Sequence, residues 1–137
     1  MKKSIILISG LVLLTVLAIL GCSSSSNPTN PLAQFQPQIS NSPDDFQFQA
    51  TGVTNVSATV NYSWSNSGAQ GTVNHSSTVD SGSATVYIYD ANDSLVYTNG
   101  LVASLNEPTQ SGLAGTWRVR VVLANCDGTL NFRVQKL

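Results

Sequence analysis

Charged side chains are scarce in this sequence: six Lys and Arg and seven Asp and Glu among 137 residues, or 9%. Proteins that wrap nucleic acid need many phosphate-neutralising cations, commonly interleaved with aromatics. Here Lys2 and Lys3 stand in an N-terminal leader, and the remaining Arg118, Arg120, Arg133 and Lys136 face seven carboxylates, a net −3. Nucleic acid is therefore set aside as a partner. Strong helix formers such as Glu, Lys and Arg are few, whereas Ser, Thr, Asn, Gly and Val abound, a mix that favours strands and turns. Histidine occurs once, as His75, and no G-x-S-x-G elbow accompanies it, so a Ser-His-Asp hydrolase has little to build on. Cysteine occurs twice, at Cys22 and Cys126. One Cys and one His some fifty residues apart lack zinc-ligand spacing.

What is present begins with the leader. Met1-Lys2-Lys3 supplies a positive start, and Ile5 to Leu20 form an apolar run broken only by Ser9, Gly10 and Thr15. A spanning helix needs roughly twenty apolar residues to cross about 30 Å of hydrocarbon, and this run is shorter, which suits a cleavable export signal. The run closes on Ile19-Leu20-Gly21-Cys22.

Those four residues resemble the bacterial lipoprotein signal, with a small residue before the cysteine and an aliphatic one three positions ahead of it. The resemblance implies cleavage between Gly21 and Cys22, a diacylglycerol thioether on Cys22 and an N-acyl chain on the new amino terminus. At about 0.8 kcal/mol per buried methylene, two or three chains hold a protein on a membrane where one does so marginally. Ser23 in place of Asp implies the outer membrane if the source is Gram-negative. An ordinary secretory signal or an uncleaved anchor, with Cys22 incidental, is the alternative.

Residues 22–43, rich in Ser, Asn, Gln and Pro, read as a tether between a 1–21 signal peptide and a 44–137 domain. A tether of this length has an end-to-end distance of about 25–30 Å and reaches about 70 Å when extended. Period-two alternation then sets in. "DFQFQA" puts Phe46, Phe48 and Ala50 on one face, and "VSATVNYSW" does the same with Val56, Ala58, Val60, Tyr62 and Trp64. A weaker strand over 72–79, a turn at "DSGS", then "ATVYIYD", "LVYTNGLVASL", a loop "NEPTQSGLAG" and a final hairpin of "TWRVRVVLA" and "TLNFRVQ" follow. The Asp127-Gly128 pair in "NCDG" is the expected hairpin turn. Seven or eight short strands without a helix predict an antiparallel β-sandwich, Ig-like or jelly-roll, with a small closed barrel as the alternative.

"GSATVYIYDANDSLVYT" and "GLAGTWRVRVVLANCDGTLNFRVQKL" also loosely resemble small extracellular bacterial β-sandwich modules of the pre-peptidase C-terminal or CUB-like type. Such modules are accessory domains, and the resemblance transfers no catalytic residue.

The candidate sites follow from strand geometry. His75 lies in the polar stretch "TVNHSS" and reads as a solvent-facing strand residue. With Cys22 acylated, Cys126 is a loop thiol without an internal partner, or the donor of an intermolecular disulfide. Asp90, Asn92 and Asp93 are oxygen-rich, but EF-hand spacing is missing and a turn is favoured over calcium. A terminal hairpin would gather Arg118, Arg120 and Arg133 on its outer face, with Arg120 nearly opposite Arg133. Such like charges call for an acid, Asp80 or Asp90, or for an anionic ligand. A hairpin centred on Asn92 would likewise place Tyr87, Tyr89 and Tyr97 on one face, as a sugar-stacking platform or as core. The expected protein is a lipid-anchored, non-catalytic envelope module that contacts a glycan or a protein. A surface-assembly subunit pairing by an edge strand or Cys126 is the alternative, and a hydrolase ranks last.

Overall fold

The computed structural model describes residues 30–137. The signal peptide, Gly21 and Cys22 lie outside the described residues. The chain forms an antiparallel β-sandwich of seven strands: β1 Gln38–Ser42, β2 Asp45–Asn66, β3 Gly71–His75, β4 Thr78–Tyr89, β5 Leu95–Gly100, β6 Leu105–Pro108 and β7 Gly115–Lys136. A 3-10 helix, Pro31–Phe35, precedes them, capped by the Asn30 side chain on the Leu32 N–H. Leu32 is buried and Phe35 packs against the core, so the ordered domain takes in residues the sequence assigned to the tether.

Alternation in "DFQFQA" and "VSATVNYSW" produces strands as expected, but one strand, not two. β2 and β7 each run for 22 residues and pair along their length, from Asp45↔Gln135 to Asn66↔Gly115. That register breaks three times between Ala50 and Ala58, and the β4–β7 register breaks between Val79 and Ser83. At these breaks the backbone enters left-handed space at Gly52, Asn55, Gly82 and Asn125 (φ 63°, 50°, 68° and 44°), with Gly128 at φ 139°. Bulges of this kind raise local twist and bend a strand. The hydrogen-bonded ribbon therefore folds over on itself.

The first layer holds β1, residues 45–50 of β2, residues 128–136 of β7, β3 and β6. The second holds residues 58–66 of β2, 115–124 of β7, 83–89 of β4 and β5. Phe46 and Phe48 from one end of β2 meet Tyr62 from its other end at 5.5 and 5.9 Å between ring centroids. Phe132 stacks on Phe48 at 5.2 Å, and Trp64 meets Trp117 edge-on at 5.6 Å. Such pairs are worth about 0.5–1.5 kcal/mol each beyond the area they bury. Asp127 ties the corner, its carboxylate accepting from the Asn55 N–H on β2 and the Ser81 hydroxyl on β4.

Three expectations are corrected, two of them at the corner. "NCDG" is no hairpin turn but a bulged stretch inside β7, so 116–124 and 129–135 lie in opposite layers. "DSGS" is likewise a bend within β4, and "NEPTQSGLAG" starts with β6. Asp-Gly supplies the positive φ that a two-residue turn needs, and a bulge needs it equally.

A Cβ at Gly128 would collide with the Thr78 carbonyl oxygen, whereas one at Gly52 meets nothing within 4 Å. Gly128→Ala is expected to lower unfolding free energy by about 2–4 kcal/mol and Gly52→Ala by about 1 kcal/mol. Urea denaturation of the two variants checks the order.

Candidate functional site

The outer face of the second layer carries the strongest cluster of polar and aromatic side chains. Residues opposite one another on neighbouring strands share a face, and the register gives two adjacent rows. One runs Asn61, Arg120, Tyr87, Thr98, and the other Ser63, Arg118, Tyr89, Leu95. Arg118 lies over the Tyr89 ring with its Cζ 4.2 Å from the centroid, and Arg120 sits at 5.7 Å from the same ring. Asp93, held in a left-handed turn, forms an ion pair with Arg118. Arg120 meets no carboxylate among the described residues. Its Nε donates to Asn61 Oδ1 at 3.2 Å.

Tyr97, expected beside Tyr87, and Arg133, expected opposite Arg120, are elsewhere. Tyr97 pairs with Ile88, because the β4–β5 register slips between Ile88 and Tyr89, and its ring turns inward and is buried. Arg133 lies in the first layer, since its half of β7 has crossed the corner. It pairs with Asp45, donating at 2.9 Å from Nε and 2.5 Å from Nη2. That carboxyl is held below the ordinary range by the Arg133 hydrogen bonds. Arg120 and Arg133 are therefore not opposite, and the acids that answer the arginines are Asp93 and Asp45, not Asp80 or Asp90.

Asp90 closes a turn. Its carboxylate accepts the N–H groups of Leu113 and Ser94 at 2.8 Å and of Asn92 at 2.9 Å, and these bonds lower its pKa. The oxygens a calcium ion would need are occupied by backbone, so "DANDS" serves as a strand connection. Among the described residues no three His, Cys, Asp or Glu side chains gather in a metal-binding group. Cys126 is not a loop thiol but an inward strand residue with no exposed surface. Burial raises its pKa, as do the Asp127 and Asp80 carboxylates, which works against the thiolate that disulfide exchange requires.

His75 is also not solvent-facing. It is 1% exposed, opposite Phe132 and Leu105, and neither ring nitrogen has a hydrogen-bond partner. The neighbouring hydroxyls are turned elsewhere: Ser77 Oγ bonds the Asn131 backbone and Ser76 Oγ accepts from its amide. No Ser–His pair forms with this residue. Glu107 beside it accepts from Asn99 Nδ2 at 3.0 Å, and the Tyr97 hydroxyl is buried close to both. Burial and the Glu107 carboxylate push the Tyr97 pKa up. This polar cluster at the β5–β6 seam was not legible in the sequence, because β5 and β6 do not pair and their facing residues follow only from the two-layer arrangement.

No family model and no curated protein matches the chain. Among solved structures it is similar to the Glycosylation Associate Protein (Gap123) complex from Streptococcus agalactiae. The TM-score is 0.40 at 11% identity, over 76% of this chain and 40% of that one. It is also similar to accessory secretory protein 1, 2 and 3 in Streptococcus pneumoniae, with a TM-score of 0.36 at 10% identity over 76% and 87% of the two chains. The present chain thus spans less than half of the first of these, and likeness at this level assigns neither activity nor partner.

Burial lowers the His75 pKa more than the Glu107 carboxylate and the Ala103 backbone raise it. The folded chain then resists a proton that the unfolded chain accepts near pH 6.5, so the stability concerned is intact above that pH and is lost as pH falls toward the folded value. Denaturation midpoints are expected to drop between pH 7 and pH 5. His75→Leu should flatten that limb while sparing the carboxylate limb below about pH 4.

Proposed function

We propose that this chain is a lipoprotein whose β-sandwich is a non-catalytic contact module held at the bacterial envelope by acyl chains on Cys22, at the outer membrane if the cell is Gram-negative. Its ligand is an anionic glycan, met by the open face of Tyr87, Tyr89, Arg118 and Arg120. The observation that carries this reading is Arg120, a guanidinium beside aromatic rings on an exposed sheet with no carboxylate among the described residues to neutralise it. Arginine presents donors in a planar fork that matches carboxylates and phosphates, and tyrosine faces stack on sugar rings. A hydrolase reading finds no support in His75, whose nitrogens are buried and unbonded. The assembly reading through Cys126 would require the sandwich to open.

A screen of the full chain in detergent micelles against neutral and acidic glycans tests the ligand. Arg120→Ala is expected to weaken acidic-glycan binding about tenfold or more, with a smaller loss for Tyr87→Ala. Equal binding by both variants and the parent would contradict the reading. The anchor is tested separately: labelled palmitate should enter the wild-type chain and not Cys22→Ala, and globomycin should block processing of the wild type alone.

A further inference from the structure

We infer that the uncovered edge of β2, residues 57–62, docks a single extended segment of another protein, proline-free, with apolar side chains at alternate positions and a carboxylate on its solvent-facing side. β1 pairs with β2 only at residues 45–49, and β7 takes the other edge, so no strand among the described residues flanks 57–62. The effect on burial is direct. Ala58, Val60 and Tyr62 point into the sandwich yet are only partly buried, whereas their β7 partners Leu123, Val121 and Val119 are buried.

The backbone of this edge is free as well. The carbonyl oxygens of Ser63 and Ser65 point away from β7, accepting from Asn41 Nδ2 at 2.7 Å and the Asp44 N–H at 2.8 Å. The register from Ala58 to Asn66 is unbroken, and residues two apart in a strand direct their N–H and C=O groups to the same side. Thr59 and Asn61 therefore present theirs outward, and neither has a partner there among the described residues.

Natural edge strands are guarded by prolines, lysines, bulges or brevity. β1 is bracketed by Pro37 and Pro43, β6 carries Glu107 and Pro108, and β5 is short and bulged against β4. Residues 58–63, Ala-Thr-Val-Asn-Tyr-Ser, carry no proline and no lysine, and their register is unbroken.

Two observations select the occupant. β1 overhangs the vacant position: Ile39, opposite buried Phe48, faces inward but is 42% exposed, and Asn41 reaches down to Ser63. A lone strand fits beneath β1. A second copy pairing edge to edge about a two-fold axis would bring its own first layer into the same space. Arg120, on the far side of β2 from the docked segment, leans onto Asn61 and lacks an acid, so across β2 it would meet a carboxylate on the segment's outer side. Main-chain bonds then supply affinity and alternate side chains specificity, as in other strand-addition complexes.

The probe is a fluorescein-labelled heptapeptide, TVEVEVT, with TVQVQVT and TVEPEVT as comparisons, titrated by anisotropy against the full chain in micelles. Saturable binding is expected for TVEVEVT, weaker binding for TVQVQVT and none for TVEPEVT. Val60→Lys, which points a charge into the docking groove, should weaken TVEVEVT at least about tenfold. Arg120→Gln should abolish the preference over TVQVQVT, and Tyr87→Ala should change nothing, which separates this site from the glycan face. In the unsubstituted protein the peptide should slow hydrogen exchange at the Thr59 and Asn61 amides, a readout independent of how well Val60→Lys folds. Absence of peptide binding, equal binding by Val60→Lys, or unchanged exchange at both amides would overturn the inference. So would a wild-type dimer that Val60→Lys dissolves, since it would assign the edge to a second copy.

Discussion

The bend in the β2–β7 ribbon is the constraint from which the other features follow. Two 22-residue strands would be too long and flat for a domain this small if they ran straight. Left-handed residues and bulges at one level of the molecule double them over, and each strand then serves both layers. The core forms because of this bend, since the aromatic residues at one end of β2 are brought against those at the other. Asp127 fixes the level of the bend by joining β7 to β2 and β4 through one carboxylate, whose pKa is lowered first by Ser81 and then by the Asn55 N–H.

A folded ribbon leaves two lateral seams, and they differ in chemistry. At the β5–β6 seam the layers meet through Tyr97, Asn99, Glu107 and the buried His75, an arrangement sensitive to protonation. At the opposite side the first layer is one strand wider than the second, because β1 has no counterpart beside residues 58–66 of β2. The Asn41–Ser63 and Asp44–Ser65 bonds close one end of that side, and the stretch beyond them stays without a strand partner. The arginine–tyrosine face lies on the same layer, so that face and the uncovered edge both belong to the half of the sandwich built from 58–66, 83–89 and 115–124.

The all-β sandwich class was legible because period-two alternation survives in nearly every strand, from Phe46-Phe48-Ala50 to Leu130-Phe132-Val134. The corner was not, for a physical reason: Asp-Gly and Ser-Gly satisfy the dihedrals of a tight turn and of a bulge alike, and only the distant packing of Phe46 and Phe48 on Tyr62 decides between them. Arg133 and Tyr97 were misplaced by that ambiguity, one by the layer crossing and the other by a single-residue slip in β5. Arg118 stays beside Arg120, and Tyr87 beside Tyr89, because the stretches that carry them are regular; that the two pairs share one face follows from the β4–β7 pairing, which the sequence did not show. The clash that a hairpin would have imposed between Arg120 and Arg133 was the signal in the sequence that those two segments are not neighbours. Leu32, Phe35 and Ile39 are too few, among Ser, Asn, Gln and Pro, to set a period that could mark the 3-10 helix or β1.

Nuclear Overhauser contacts along β7 test the folded ribbon most directly. The two-layer account predicts cross-strand contacts of Val121 with Val60 and of Phe132 with Phe48, together with ring contacts between Phe46 and Tyr62. A ladder of contacts pairing residues 116–124 with 129–135, as a hairpin at Asp127-Gly128 requires, would contradict it.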